Sequence, residues 1–340
     1  MQKKYLQWLF YLASLLILLA IAVLISLSAG EMNLSFSDIF RILSQKDESM
    51  EYTILSQIRI PRVLLGIAVG GSLSLSGILL QGVYRNPLVE PYTLGISGGA
   101  SLGVAFAIVF GLHQLIGSFV LPAAGFAGSF LIIFLVYTIS TRTGRINIQS
   151  MLLTGVMVSF IASSSMMLLM ATTSSENLHG IVFWIMGSLD EPDMSLIYIT
   201  MAMALASLAA SYFFVQPLNA LRLGEEKARD LGINTDTVIK LLFLMASLLA
   251  GVCVAVAGVI GFVGLIIPHL MRLLVGSDYR ILLVSSFLSG SIFLVLSDVI
   301  ARTIISPNEL PIGVITGIVG GIVFLLMMSR SSFRSIHKSR

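Results

Sequence analysis

Apolar residues run along this chain in blocks about as long as a lipid bilayer is thick, separated by short polar breaks. A helix needs about 20 mostly apolar residues to cross hydrocarbon. Windows of that kind fall at 6–28, 60–84, 93–111, 115–139, 148–171, 193–215, 237–257, 259–275, 281–299 and 311–328. They predict an all-α polytopic membrane protein of about ten transmembrane helices. The whole of 1–340 then forms a single transmembrane domain with no room for a soluble one. The first window follows Lys3 and Lys4, as a signal peptide would. Its apolar run exceeds the roughly 7–15 residues of a signal core, and no small-residue cleavage site stands out. It is read as a retained helix.

Composition excludes other classes. Hydrophobic residues make up 56% of the 340 and charged ones 11%, with mean hydropathy +0.98. Soluble chains carry about 25% charged residues, so an ordinary cytosolic enzyme, a disordered chain and a nucleic-acid binder are set aside. The lone Cys253 excludes an internal disulfide and a cysteine zinc cluster. The histidines at 113, 179, 269 and 337 are scattered, and no metal site is expected.

Net charge is only +3, but its distribution is lopsided. With a cytoplasmic N-terminus, fifteen of the twenty basic residues lie inside, from Lys3 and Lys4 through Arg85, Arg142, Arg145 and Arg222 to Arg340. Five lie outside: Arg41, Lys46, Arg59, Arg62 and Arg302. That split obeys the positive-inside rule and places both termini in the cytoplasm. Two connections exceed a turn. The external one, about 29–58, is acidic (Glu31, Asp38, Asp47, Glu48, Glu51) with an amphipathic run at Ser37–Leu43. The cytoplasmic one, about 216–236, reads QPLNALRLGEEKARDLGINTD.

Glycines four apart, at Gly66/Gly70, Gly95/Gly99/Gly103 and Gly313/Gly317/Gly321, suit close helix approach in lipid. They serve either packing within the bundle or a dimer interface. No phosphate-binding loop of the G-x-x-x-x-G-K-[ST] type exists, so any ATP drive comes from another polypeptide. Asp298 and Arg302, four apart with the acid first, form a favourable helix pair. The pair eases insertion locally, or leaves Arg302 to meet an external partner. Pro268 frees a backbone carbonyl that His269 or Arg272 can satisfy. Gln81 reads as hydrogen-bonding glue between helices, and Met166, Met167 and Met170 as adaptable packing.

In the long inner connection, Leu218–Leu223 and Glu225–Leu231 each suit a short helix. Glu225 and Arg229 pair at i,i+4, and Gly232 stands where a C-terminal cap is wanted. Such turns suit a groove in a partner protein, or serve as a solvated connector. Arg59 and Arg62 open a span as RIPR, either as interfacial anchors or as rigid forks for carboxylates.

Those residues lie within a longer resemblance. RIPRVLLGIAVGGSLSLSGILLQGVYRNPLVEPYTLGISGGASLG resembles the signature segment of the permease subunits of type II ABC importers, the iron-siderophore, haem and cobalamin family. GEEKARDLGIN is similar to their cytoplasmic coupling region. GVIGFVGLIIPHLMRLLVGSDYR, SDVIAR and ELPIGVITGIVGG are similar to their C-terminal block. The resemblance spans about 30–328.

It implies a ten-helix permease in a bacterial or archaeal plasma membrane, pairing with a second copy or a close paralogue. Each copy sits on a cytoplasmic ABC ATPase, which binds ATP and magnesium, so the chain itself has no cofactor and is no enzyme. A binding protein delivers substrate from outside, docking on Arg59, Arg62 and Arg302. Leu223, Gly224, Glu225, Glu226, Ala228, Arg229, Leu231 and Gly232 enter the ATPase cleft. Asn86, Leu88, Gln149 and Ser150 narrow the inner end of the pathway. A ferric siderophore or other iron complex is the expected cargo; cobalamin, haem or an oxyanion is the alternative. An ion-coupled secondary transporter needs carboxylates near the midplane, and the spans offer almost none.

Overall fold

A computed structural model describes residues 2–30, 32, 34–45, 49–117, 119–141, 148–191 and 193–338. Of the positions singled out above, Glu31, Lys46, Asp47, Glu48, Arg142, Arg145 and Arg340 lie outside this set.

Every predicted window becomes a helix. α1 is Gln2–Ser28 and α2 the amphipathic Phe36–Gln45. α3 (Ile60–Tyr84), α4 (Ile96–Val109), α5 (Val120–Ser140) and α6 (Ile148–Thr172) follow. Next come α7 (Ser175–Met186), α8 (Met194–Ser211), and the short α9 (Val215–Leu221) and α10 (Glu225–Asp230). α11 (Thr235–Ala257), α12 (Val263–Val275), α13 (Tyr279–Thr303) and α14 (Ile312–Lys338) complete the chain. Eight segments are long and apolar enough to span a bilayer. The other two windows form the shorter α4 and α12, of 14 and 13 residues. At 1.5 Å per residue these reach only about 20 Å; α4 is preceded by a 3-10 turn, Pro91–Leu94, and α12 by the non-helical stretch ending at Phe262.

Three features depart from the hydropathy reading. Helix extends back from α3 through a π-helical turn, Ile54–Arg59, to Met50. α12 begins at Val263 rather than 259, after Phe262 takes a left-handed conformation (φ 70°). α7 was not foreseen; its start is marked by Ser174, whose hydroxyl accepts from the Asn177 N–H at 3.4 Å.

α3 is the hub. Most of it is buried, and it packs against α8, α11, α12 and α13, while α1 lies on α13. α4, α5 and α6 form a second group, joined to the first where α5 meets α11. Small residues set the spacing. A Cβ on Gly70 would strike the backbone of Gly290, and one on Gly77 that of Gly264, so α13 and α12 touch α3 almost backbone to backbone. The Gly99 and Gly103 pair is used likewise against α5, at Gly128 and Ala124. The third glycine series divides: Gly313 abuts the Met186 and Val259 carbonyls, whereas Gly317 faces open space.

Candidate functional site: an arginine cluster and a glycine-closed turn at opposite ends of the central helix

α3 has 25 residues, so its ends stand about 37 Å apart, and each carries part of the predicted machinery.

At its N-terminal end the three predicted arginines converge. Arg59 closes the π-turn, and Arg62 lies three residues on, along the same side of the helix. Arg62 Nε donates to Asp298 Oδ1 at 2.8 Å and Nη2 to Glu309 Oε2 at 2.7 Å. Arg302 Nε donates to the other Asp298 oxygen, Oδ2, at 2.9 Å, which realises the predicted i,i+4 pair. Arg302 also reaches the Ala29 and Ser26 carbonyls, each at 3.2 Å. Arg59, only 4% exposed, donates Nη1 to the Leu27 and Ser28 carbonyls and Nη2 to that of Met32. These carbonyls belong to the end of α1 and its exit, where a helix leaves acceptors without intrahelical donors.

One carboxylate thus bridges two guanidinium groups, and a third caps α1. All three arginines, with Glu309, line an indentation of about 260 Å³. Three cations face two carboxylates there, Asp298 buried and Glu309 49% exposed. The site has a formal surplus of one positive charge, and its most accessible anion is Glu309. Sequence spacing could show Asp298 with Arg302 but not Arg62, which lies 236 positions away.

At the other end, α9 and α10 form the predicted pair of short helices, joined through Gly224 at φ 115°. Arg229 holds Glu225 at 2.8 Å as the i,i+4 spacing required, and its Nε donates to Thr235 Oγ1 at 2.7 Å. Gly232 N–H bonds the Arg229 carbonyl at 2.8 Å and Ile233 N–H that of Ala228 at 3.1 Å. With Gly232 at φ 82°, this is a complete Schellman termination. Ala228 is fully buried and anchors the turn; Leu223 and Leu231 project, 60% and 64% exposed. Glu226 is exposed beside them.

On the same end, Arg85 terminates α3 in a left-handed conformation (φ 50°). Asn86 Oδ1 then accepts from the Leu88 N–H at 2.9 Å, an Asx turn. Leu88 is exposed. Gln149 and Ser150 open α6, which further along rests Gly155 against the backbone of Leu94.

One expectation needs correction. Pro268 has no N–H for the carbonyl of Gly264, four residues earlier. Neither His269 nor Arg272 fills the gap. Gln81 Nε2 from α3 donates to Gly264 O at 3.1 Å and Leu265 O at 3.3 Å. Arg272 acts one step behind, its Nη1 holding Gln81 Oε1 at 2.6 Å. The glue role read for Gln81 is therefore the one that carries the proline break.

Comparison with known proteins places this geometry. Residues 18–330 match the model of the FecCD transport family. The haemin transport system permease of Yersinia pestis is 37% identical over 321 residues, 94% of this chain and 95% of that one. The vitamin B12 import permease of Citrobacter koseri is 37% identical over 330 residues, covering 97% and 96%. A metal-chelate type ABC transporter, solved in an inward-facing conformation, superposes with TM-score 0.84 at 32% identity, over 94% of this chain and 98% of that one. The chain belongs to the FecCD transport family of multi-pass ABC permeases.

Proposed function

We propose that this permease carries a metal chelate across the membrane as half of a paired translocation unit, with a ferric siderophore or other iron complex as the first candidate cargo. The unit consists of two copies, or one copy and a close paralogue, seated on a cytoplasmic ABC ATPase dimer and supplied by an external binding protein. Both termini are cytoplasmic in this reading, so the arginine end faces out and α9–α10 faces in.

The observation that carries it is the α10 turn. It is short, anchored by Ala228, closed by Gly232, and it presents Leu223 and Leu231 to solvent at the end of the bundle remote from the arginines. A compact knob with apolar corners suits a cleft in a partner. When ATP changes that cleft, the turn transmits the change to α11, which begins only five residues after α10. Transport is then a population shift between outward-open and inward-open pairs, driven by the difference in how each state fits the ATPase.

At the outer end, Arg59, Arg62 and Arg302 receive carboxylates of the binding protein. The surplus cation favours that, and Glu309 holds Arg62 until a docking carboxylate shares or takes its place. Asn86, Leu88, Gln149 and Ser150 form the inner constriction.

The test uses proteoliposomes holding the permease pair, its ATPase and the binding protein, loaded in turn with ferric siderophore, haem and cobalamin. Uptake of the ferric chelate should require ATP and the ATPase. Uptake that persists without the ATPase, or that follows a proton gradient instead, refutes the importer reading. Uptake of haem or cobalamin alone keeps the importer and replaces the cargo.

A further inference from the structure

Next to the coupling turn lies a cavity of about 360 Å³, bordered on one side by the Asn86–Pro87 turn. Arg85, Arg222, Arg272 and His269 line it, and among the described residues none of the lining is acidic. The guanidinium groups are positioned by neutral partners. Arg222 Nη1 donates to the Ser277 carbonyl at 2.6 Å, and Arg272 Nη1 to Gln81 Oε1 at 2.6 Å. Arg85 leans over Gly224, with no side-chain hydrogen bond or ion pair among the described residues. Among the described residues, none of the three arginines pairs with a carboxylate. The nearby Asp278 is already held by Lys4 at 3.4 Å and Arg280 at 3.5 Å.

Three uncompensated guanidinium groups around one cavity repel one another, and their forks match an oxyanion. The contrast with the opposite end of α3 is informative, since there Asp298 and Glu309 stand among the arginines. The walls are mixed. Pro87 and Leu273 line the same cavity, and Leu273 is 67% exposed, with the exposed Leu274 beside it. An occupant that places charge among arginines and hydrocarbon along an apolar rim is an anionic lipid. Basic pockets between helices at the cytoplasmic membrane surface take such headgroups.

We propose that this cavity binds the phosphate of an anionic phospholipid headgroup, with the acyl chains leaving past Leu273. A lipid there sits against Arg85 and Gly224, so its binding bears on the coupling turn. The assignment does not depend on which chelate is carried.

The full-length chain is stripped of lipid in detergent and titrated with phosphatidylglycerol, phosphatidylcholine or inorganic phosphate, with retention read by native mass spectrometry. Phosphatidylglycerol should bind at least tenfold more tightly than phosphatidylcholine and displace inorganic phosphate. Arg85→Glu, which places a carboxylate in the cavity, should remove that preference, and Arg85→Gln should weaken it severalfold. Arg85 is exposed and makes no side-chain bond among the described residues, so both variants should keep the wild-type unfolding temperature. If Arg85→Glu fails to fold, Arg85→Gln with Arg222→Gln decides. Equal binding of the two lipids, or unchanged phosphatidylglycerol binding in the variants, overturns the proposal. So does phosphate binding that the lipid cannot displace. ATPase docking lost in Arg85→Glu while phosphatidylglycerol never binds also overturns it, and assigns the cavity to a protein carboxylate.

Discussion

Gln81 on α3 donates to the carbonyl of Gly264 on α12, the one acceptor that Pro268 leaves open within that helix. The bond lies one turn from a backbone-to-backbone approach of the same two helices, where Gly77 meets Gly264. A broken helix at membrane depth is tolerated only when a neighbour satisfies it.

Gln81→Leu should therefore lower stability by about 1–2 kcal/mol, the upper range for hydrogen bonds between membrane helices. Arg272 loses its acceptor in the same step. Thermal unfolding in detergent measures the change, and an unaltered midpoint would remove Gln81 from this role.

Asp298 is itself buried and joins two arginines, so Asp298→Asn should cost about 3–5 kcal/mol, as for other buried pairs broken on one side. Glu309 is half exposed, and Glu309→Gln should leave the unfolding midpoint nearly unchanged. Equal losses in the two variants would contradict the central place of Asp298.

Docking can be probed through the same carboxylate. Freeing Arg62 by Glu309→Gln should tighten binding-protein affinity severalfold, with the gain shrinking at high salt. Surface plasmon resonance on reconstituted permease reads this directly. Weaker binding would mean that Glu309 contacts the binding protein rather than competing with it.

Gly232 has nothing within 4 Å of where a Cβ would stand, so only its backbone resists substitution. A β-branched residue at φ 82° is strained by about 1–3 kcal/mol. Gly232→Val should unwind the Schellman closure and leave ATP hydrolysis running without transport. Normal coupling of hydrolysis to uptake would return α10 to a passive connector.

Glu90, on the turn before α4, carries a signature of its own. Burial pushes its carboxyl above the usual 4.5, and the Phe262 N–H it accepts only partly offsets this. Because its folded value is raised, the native state holds the proton longer than the unfolded chain does. Its contribution is fully present below about pH 4.5 and fades as pH rises through the folded value. Glu90→Gln keeps an acceptor for Phe262 and should flatten that decline. A variant with the same pH profile as wild type would show that Glu90 titrates normally.

What the amino-acid order determined by itself is what depends on near neighbours. Bilayer crossing is a property of about 20 consecutive residues, so ten windows marked ten helices. The pairs Asp298–Arg302 and Glu225–Arg229, and the cap at Gly232, are contacts within a single turn, visible as spacing. Only the tertiary structure decided that Arg62 shares Asp298 from across the bundle, that Gln81 rather than His269 mends the proline break, and that three arginines border one cavity beside Gly224. Lipid gives no hydrophobic reward for choosing one helix neighbour over another, so partners are selected by close packing and by polar groups that must find each other across long stretches of chain.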